Sequence, residues 1–320
     1  MKYIDKCSSI AHDISDNFTS SGINSLIFLG FFNSVLAVPT AAANALVIVA
    51  ILTTSSLRTP SYLLLTSLAF SDLVIGILGQ SLLAMMIFSF FSKHAELCCY
   101  VLMTCYVILS WTSWSSLFTI TAISVDRYLA VRLKMRYKTF VTVTRIRRII
   151  PIIWISSFTA MASIFVLYKD MVTFGVIGGT SQTCCLALIL FCYTMSFRAL
   201  KIHCAQTHPQ GNQQPNSATQ SNAIDVLKYR KLLKTMIIIV ILICVCYLPL
   251  IGIFVTVTAP GSYKSKPFRD FMISSGLSTL AGLVTTMTLN STLSPIIYMT
   301  RMRDVRNASA ELLRNICSSR

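Results

Sequence analysis

Residues 117–137 read LFTITAISVDRYLAVRLKMRY. An apolar segment with helical spacing runs into Asp126, Arg127 and Tyr128 and then into a basic patch. Such a junction marks the level where a bilayer meets water, and three polar side chains there are costly unless they serve something. On either side of it the chain is 54% hydrophobic and only 12% charged, with a mean hydropathy of +0.69, far from the composition of a soluble domain. A hydrocarbon core of roughly 30 Å needs about 20 apolar residues per helical crossing. Seven stretches meet this, near 25–52, 62–89, 98–125, 146–168, 171–197, 232–258 and 271–299. The expected fold is an all-α membrane protein: an extracellular N-terminus over 1–24, a seven-transmembrane helix bundle over 25–299, and a short amphipathic cytoplasmic helix and tail over 300–320.

The formal charge of +16 invites a nucleic-acid partner, but its distribution argues against one. With the N-terminus outside, twenty of the 27 Lys and Arg residues fall on the cytoplasmic side, as the positive-inside bias requires. The excess charge is therefore topological, and it favours contact with anionic lipids of the inner leaflet. Residues 1–23 lack the apolar core of a cleavable signal, so the first span is expected to direct its own insertion.

Most of the eleven cysteines lie among apolar neighbours inside spans, where a small buried hydrophobe is the expected role. Only Cys7, Cys98 and Cys99 can face the oxidising side, so an outer disulfide must draw on these three. Asn17 begins a glycosylation acceptor. In the tail, Met302, Val305, Leu312, Leu313 and Ile316 recur at helical spacing between arginines, as in a helix on the inner membrane surface, and Cys317 is a candidate palmitoylation site. His203, Cys204 and His208, in a polar loop over 203–224, are too few to suggest a metal centre.

Polar residues within the spans carry the functional signal. Asn44 is expected to hydrogen-bond a neighbouring helix. Asp72 is the one acid deep in any span, and it should meet a cation, a proton or several donors. Ser110, Ser113 and Ser116 form a polar stripe on the third span. Pro249 and Pro295 each remove a backbone hydrogen bond and should kink the sixth and seventh spans.

Asn44, the run 68–72 (LAFSD), Asp126-Arg127-Tyr128, Trp154, Tyr193, the run 246–249 (CYLP) and the run 294–298 (SPIIY) resemble, on the right spans and in the right order, a rhodopsin-like (class A) G-protein-coupled receptor. The resemblance covers nearly the whole chain. It implies a receptor, not an enzyme, that passes an extracellular ligand's signal to a heterotrimeric G protein by opening the sixth span around Arg127. Arg127 resembles the arginine that its neighbouring acid holds at rest and that receives the G protein's C-terminal helix when active. Tyr193 and Tyr298 resemble the two tyrosines that meet through water in the active state, and Met135 the loop residue that enters a G-protein pocket. Asp72, Ser116, Asn290, Ser291 and Ser294 fall where the family binds an allosteric sodium ion; no other cofactor is implied. Arrestin and membrane lipids are further implied partners, and the implied location is the plasma membrane, with the C-terminus in the cytoplasm.

The departures from the pattern narrow the resemblance. Tyr247 replaces the usual Trp above the sixth-span proline, Ser294 the usual Asn or Asp, and Lys134 a common loop Pro. Tyr229 stands where many members carry an acid that pairs with the arginine, so Arg127 is expected to be restrained by Asp126 alone and to signal appreciably without agonist. The third-span cysteine of the usual outer disulfide falls on Leu102, and Cys185 replaces the fifth-span proline. These features resemble the melanocortin, cannabinoid and adenosine-type branch, although the melanocortin acids fall on Leu82, Leu102 and Tyr106. The aminergic acid falls on Leu109 and the opsin lysine on Thr288, which disfavours amines and retinal. The expected ligand-facing residues are Tyr106, Leu109, Ser113, Trp114, Tyr247, Phe254 and Met287, joined by Trp111. This apolar and aromatic wall suits a lipid-like or small neutral ligand, and Glu96 and Asp270 keep a peptide open. A seven-span transporter or membrane enzyme is the alternative; one deep acid, no internal repeat and no histidine inside a span speak against both.

Overall fold

The computed structural model describes residues 19–92, 94–167, 171–207 and 276–318, with parts of 237–255. The described residues are helical throughout, with no strand among them. The helices are α1 (Ser20–Thr53), α2 (Pro60–Phe91), α3 (Ala95–Leu133), the one-turn α4 (Tyr137–Phe140), α5 (Val143–Leu167), α6 (Met171–Thr207), α7 (Val240–Pro249), α8 (Leu277–Arg301) and α9 (Arg303–Ser318). Among the described residues five helices are long and apolar enough to cross a membrane: α1, α2, α3, the Gly179–Ala199 part of α6, and α8. The 25 residues of α5 reach about 37 Å, also enough to cross. Helices are the form such segments must take, because lipid offers no partner to an open backbone.

The helices begin and end where local chemistry dictates, which differs from the limits of hydrophobicity. The first span starts at Ser20, inside the stretch expected to be an extracellular tail, because Thr19 caps the helix by accepting from the Gly22 N–H at 3.2 Å. The third continues eight residues past its expected end at 125. Asp126, Arg127 and Arg132 are charged but good enough helix formers, and the helix stops only at Lys134, whose φ of 47° is left-handed. Pro60 starts α2, where its missing N–H costs nothing. A π-helical turn at Ile75–Gly79 interrupts α2. Beside it Gly76 lies so near α1 that a Cβ would stand 2.8 Å from the Ala41 backbone nitrogen, so only glycine fits.

Side chains sort as a bilayer requires. Phe31, Val38 and Ile155 are 65%, 72% and 64% exposed, an arrangement stable only against lipid. Inside, one apolar cluster joins Val47, Leu64, Leu68, Leu117, Tyr193 and Tyr298, and a second joins Leu26, Leu83, Ile87, Cys105 and Ala281. Along α1, α2 and α8 a buried polar layer separates them: Thr40 and Asn44, Asp72, and Thr288, Asn290 and Ser291. The tail helix α9 seats Val305 and Ala308 in the first cluster. Tyr62 of α2 holds α9 in place by donating to Asp304 at 3.0 Å.

Candidate functional site

At the lower end of α3 the chain assembles a closed polar cluster. Asp126 is 4% exposed and both its carboxylate oxygens are occupied. Arg127 Nη2 lies 2.7 Å from Asp126 Oδ2 and also donates to Ser61 Oγ. Ser61, from the first turn of α2, donates to the same carboxylate oxygen at 2.8 Å. Tyr137, from α4, donates to Asp126 Oδ1 at 2.5 Å. Burial and the neighbouring carboxylate push the Tyr137 hydroxyl up to about 12, so it remains a donor throughout the physiological range. Arg127 is therefore restrained by Asp126 and Ser61, with Tyr137 steadying the acid. This corrects the expectation that Asp126 acts alone. Tyr128, grouped with the switch from sequence, points elsewhere: its hydroxyl accepts from Arg132 at 2.5 Å on the exposed side of α3.

Tyr193 on α6 accepts a hydrogen bond from Ser124 at 3.3 Å, while the Tyr298 hydroxyl is buried without a partner. Both rings belong to the same apolar cluster, but their hydroxyls are not bonded to each other. Met135 lies in the turn Lys134–Arg136. Pro295 is buried within α8 and Pro249 is helical, in α7. Cys317 is exposed and free. Asn17, Tyr229 and Phe254 lie outside the described residues.

Higher in the bundle the buried acid Asp72 has the opposite character. Asp72, Ser116, Asn290, Ser291 and Ser294 are all buried. Both Asp72 oxygens, Ser116 Oγ, Asn290 Oδ1 and Ser291 Oγ lack any protein partner. The Ser291 and Ser294 hydroxyls face the Asp72 carboxylate, although Ser294 donates to Asn290 O at 2.8 Å. Beside them Asn44 donates to Thr40 O at 2.9 Å and to Ser291 O at 3.1 Å, tying α1 to α8 as expected. The unpartnered Asp72 oxygens, with the Ser291 and Ser294 hydroxyls beside them, fit a hard cation such as sodium.

The residues expected to face a ligand separate into groups. Tyr247 and Met287 share the first cluster, and the Ser113 hydroxyl lies beside that of Tyr247. Leu109 packs into the second cluster, against Gly79. Tyr106 lies beside Ser110 on α3. Trp114 is buried edge-on to Phe118. Trp111 faces α5, with its ring 5.5 Å from Trp154 and its Nε1 donating to Trp154 O at 3.3 Å. Cys99 is disulfide-bonded, while Cys98 is free and buried.

Residues 43–187 match the profile described as 7 transmembrane receptor (rhodopsin family). The chain is 28% identical to the dog adenosine receptor A2b over 85% of each chain, and equally identical to its human counterpart over the same shares. A barnacle protein called probable G-protein coupled receptor No9 is 33% identical over 42% of this chain and 27% of its own. The matched span contains Asn44, Asp72, the Asp126–Arg127 cluster and Trp154. The match and these relatives support a rhodopsin-family (class A) G-protein-coupled receptor of the adenosine-type branch. The chain is a G-protein-coupled receptor of the plasma membrane, with adenosine receptors among its relatives, and not an enzyme; a transporter is not favoured.

Sequence reasoning missed several of the receptor's polar ties. Ser115 and Ser157 approach to 2.5 Å between α3 and α5, and Trp154 donates to Ser67 at 3.0 Å. Asn33 donates to Thr285 at 2.8 Å, Thr40 and Thr292 are 2.7 Å apart, and Gln80 donates to Thr292 at 3.4 Å. The spacing of Thr285, Thr288 and Thr292 on one face of α8 was the available signal. Ser61 and Tyr137 gave none, being 65 and 11 residues from Asp126.

Proposed function

We propose that the receptor lies with its N-terminus outside and its Arg127 end in the cytoplasm, that Arg127 is its switch, and that it takes a small neutral ligand on the outer side. The observation that carries the switch is the closed cluster of Arg127, Asp126, Ser61 and Tyr137. Breaking it frees the arginine for the G protein, as outward movement of the sixth span opens the cleft beside it. Tyr193 then exchanges Ser124 for water shared with Tyr298, whose hydroxyl has no protein partner at rest. Met135 extends the G-protein contact, and Pro249 and Pro295 supply the bends about which the helices move. Arrestin is a further partner of the opened face. Asn17 carries the glycan and Cys317 the acyl chain of the tail helix.

Asp72, Ser116, Asn290, Ser291 and Ser294 would hold a sodium ion, which neutralises the buried carboxylate and favours the closed state. An agonist shifts the population only by its differential affinity for the open state. Tyr106, Leu109, Ser113, Trp114, Tyr247, Phe254 and Met287 are the candidate contacts. Adenosine is the first ligand to test, because the relatives named above are called adenosine receptors; this favours a small neutral molecule over a lipid or a peptide. Purified receptor is mixed with heterotrimer, and nucleotide exchange is followed with and without adenosine. A rise that saturates with adenosine is expected. Agonist-free exchange that adenosine leaves unchanged would overturn the ligand assignment while leaving the switch in place.

A further inference from the structure

On the Arg127 half of the bundle a groove of about 490 Å³ opens between α3 and α5 toward the bilayer. It begins beside the point where Ser115 and Ser157 tie the two helices together, with Ser156 and Phe118 at that end. Its walls follow from helical spacing: Phe118, Ala122 and Val125 share one face of α3, and Ile149 and Ile152 share the facing side of α5. Ile152 is 62% exposed, so this wall is finished only by something apolar lying against it. The mouth has a different chemistry. Arg145 stands there, exposed, with Nη1 donating to the Phe140 carbonyl at 2.5 Å and, among the described residues, no other partner for its guanidinium. Among the described residues it pairs with no acid, and the exposed Lys138, Arg147 and Arg148 on adjoining turns add further positive charge.

An apolar slot with a cationic mouth is complementary to one kind of molecule in a membrane: a phospholipid with an acyl chain for the slot and net negative charge at the headgroup. A sterol would fill the slot but leave Arg145 unanswered. We infer that this groove is a binding site for an anionic glycerophospholipid, with its phosphate on Arg145 and an acyl chain between α3 and α5. The lipid comes from the cytoplasmic leaflet in the orientation proposed above. The occupant would lie against Val125 and Asp126, which line the groove, and against Phe140, whose one-turn helix α4 begins at Tyr137, the residue bonded to Asp126. The site thus adjoins the switch without belonging to the ligand cavity or the G-protein face.

The test uses the full-length receptor in nanodiscs of phosphatidylcholine with a minority of phosphatidylserine, and native mass spectrometry reads the lipids retained on release. Wild type should keep phosphatidylserine in preference to phosphatidylcholine. Ala122→Phe, which fills the slot, should abolish that adduct. Arg145→Gln should lower its occupancy roughly fivefold, the equivalent of about 1 kcal/mol for one arginine at an anionic surface. Arg145 is exposed, so this variant keeps the test decisive if Ala122→Phe fails to fold; thermal melting shows whether each does. Equal retention of the two lipids by wild type, or phosphatidylserine occupancy unchanged by the variants that fold, would overturn the inference.

Discussion

Two buried aspartates organise this receptor, and they are solved in opposite ways. Asp126 is 4% exposed and its two oxygens receive Arg127, Ser61 and Tyr137 from three separate elements. Asp72 is fully buried, and neither of its oxygens has a protein hydrogen bond. The difference follows from depth. At the membrane edge a loop helix and the start of α2 can bring donors to the acid, whereas deep in the bundle only short side chains on packed helices surround it. Leaving a carboxylate unpartnered in that setting costs several kcal/mol, so it must hold an ion, a proton or water. The lower cluster satisfies both Asp126 oxygens with protein groups, leaving the buried Arg127 Nε without a partner, and acts as a latch. The upper one is completed by something from outside and acts as a sensor.

Substitutions can break this contrast at either end. The largest effect is expected from Asp126→Ala, which removes the acceptor of three donors. Charge-assisted hydrogen bonds are worth about 1.5–3 kcal/mol, so agonist-free nucleotide exchange should rise about tenfold or more. Next comes Asp72→Asn. Wild type should melt at a higher temperature in sodium than in choline chloride, by the equivalent of about 1.4 kcal/mol at ten times the dissociation constant, and the variant should show no such difference. An equal sodium effect in Asp72→Asn would mean that the upper cluster is not the ion site. Tyr137→Phe deletes one neutral donor worth about 1 kcal/mol, and basal exchange should rise severalfold with agonist affinity nearly unchanged. The smallest effect belongs to Lys134→Gly. Relieving a left-handed φ of 47° should stabilise the turn after α3 by about 1 kcal/mol or less, read as a small upward shift in melting temperature.

The seven-helix architecture was legible because hydropathy and helical spacing report burial in lipid directly. Asn44, Asp72, Asn290 and Ser291 were legible because each is a polar exception in an apolar run. Helix limits were less so. Thr19 caps a helix from within a polar stretch, and α3 runs on through charges that carry no helix-breaking chemistry. The latch was half legible: Asp126 and Arg127 are adjacent in sequence, but Ser61 and Tyr137 reach them only through folding, and a lone serine or tyrosine carries no pattern. The contact of Trp111 with α5 was not legible, because an aromatic residue on a span fits a ligand wall and a helix–helix contact equally well by spacing. Only the Trp154 and Phe158 rings on α5 distinguish the two.

The central claim is that Arg127, released from its latch, is what engages the G protein. Its most direct test is guanine-nucleotide exchange on purified heterotrimer, driven by Asp126→Ala receptor with and without Arg127→Ala in the same chain, at matched amounts of folded protein. Exchange well above the heterotrimer alone that disappears when Arg127 is removed is the predicted result. Exchange that persists at the same rate without Arg127 would contradict the account.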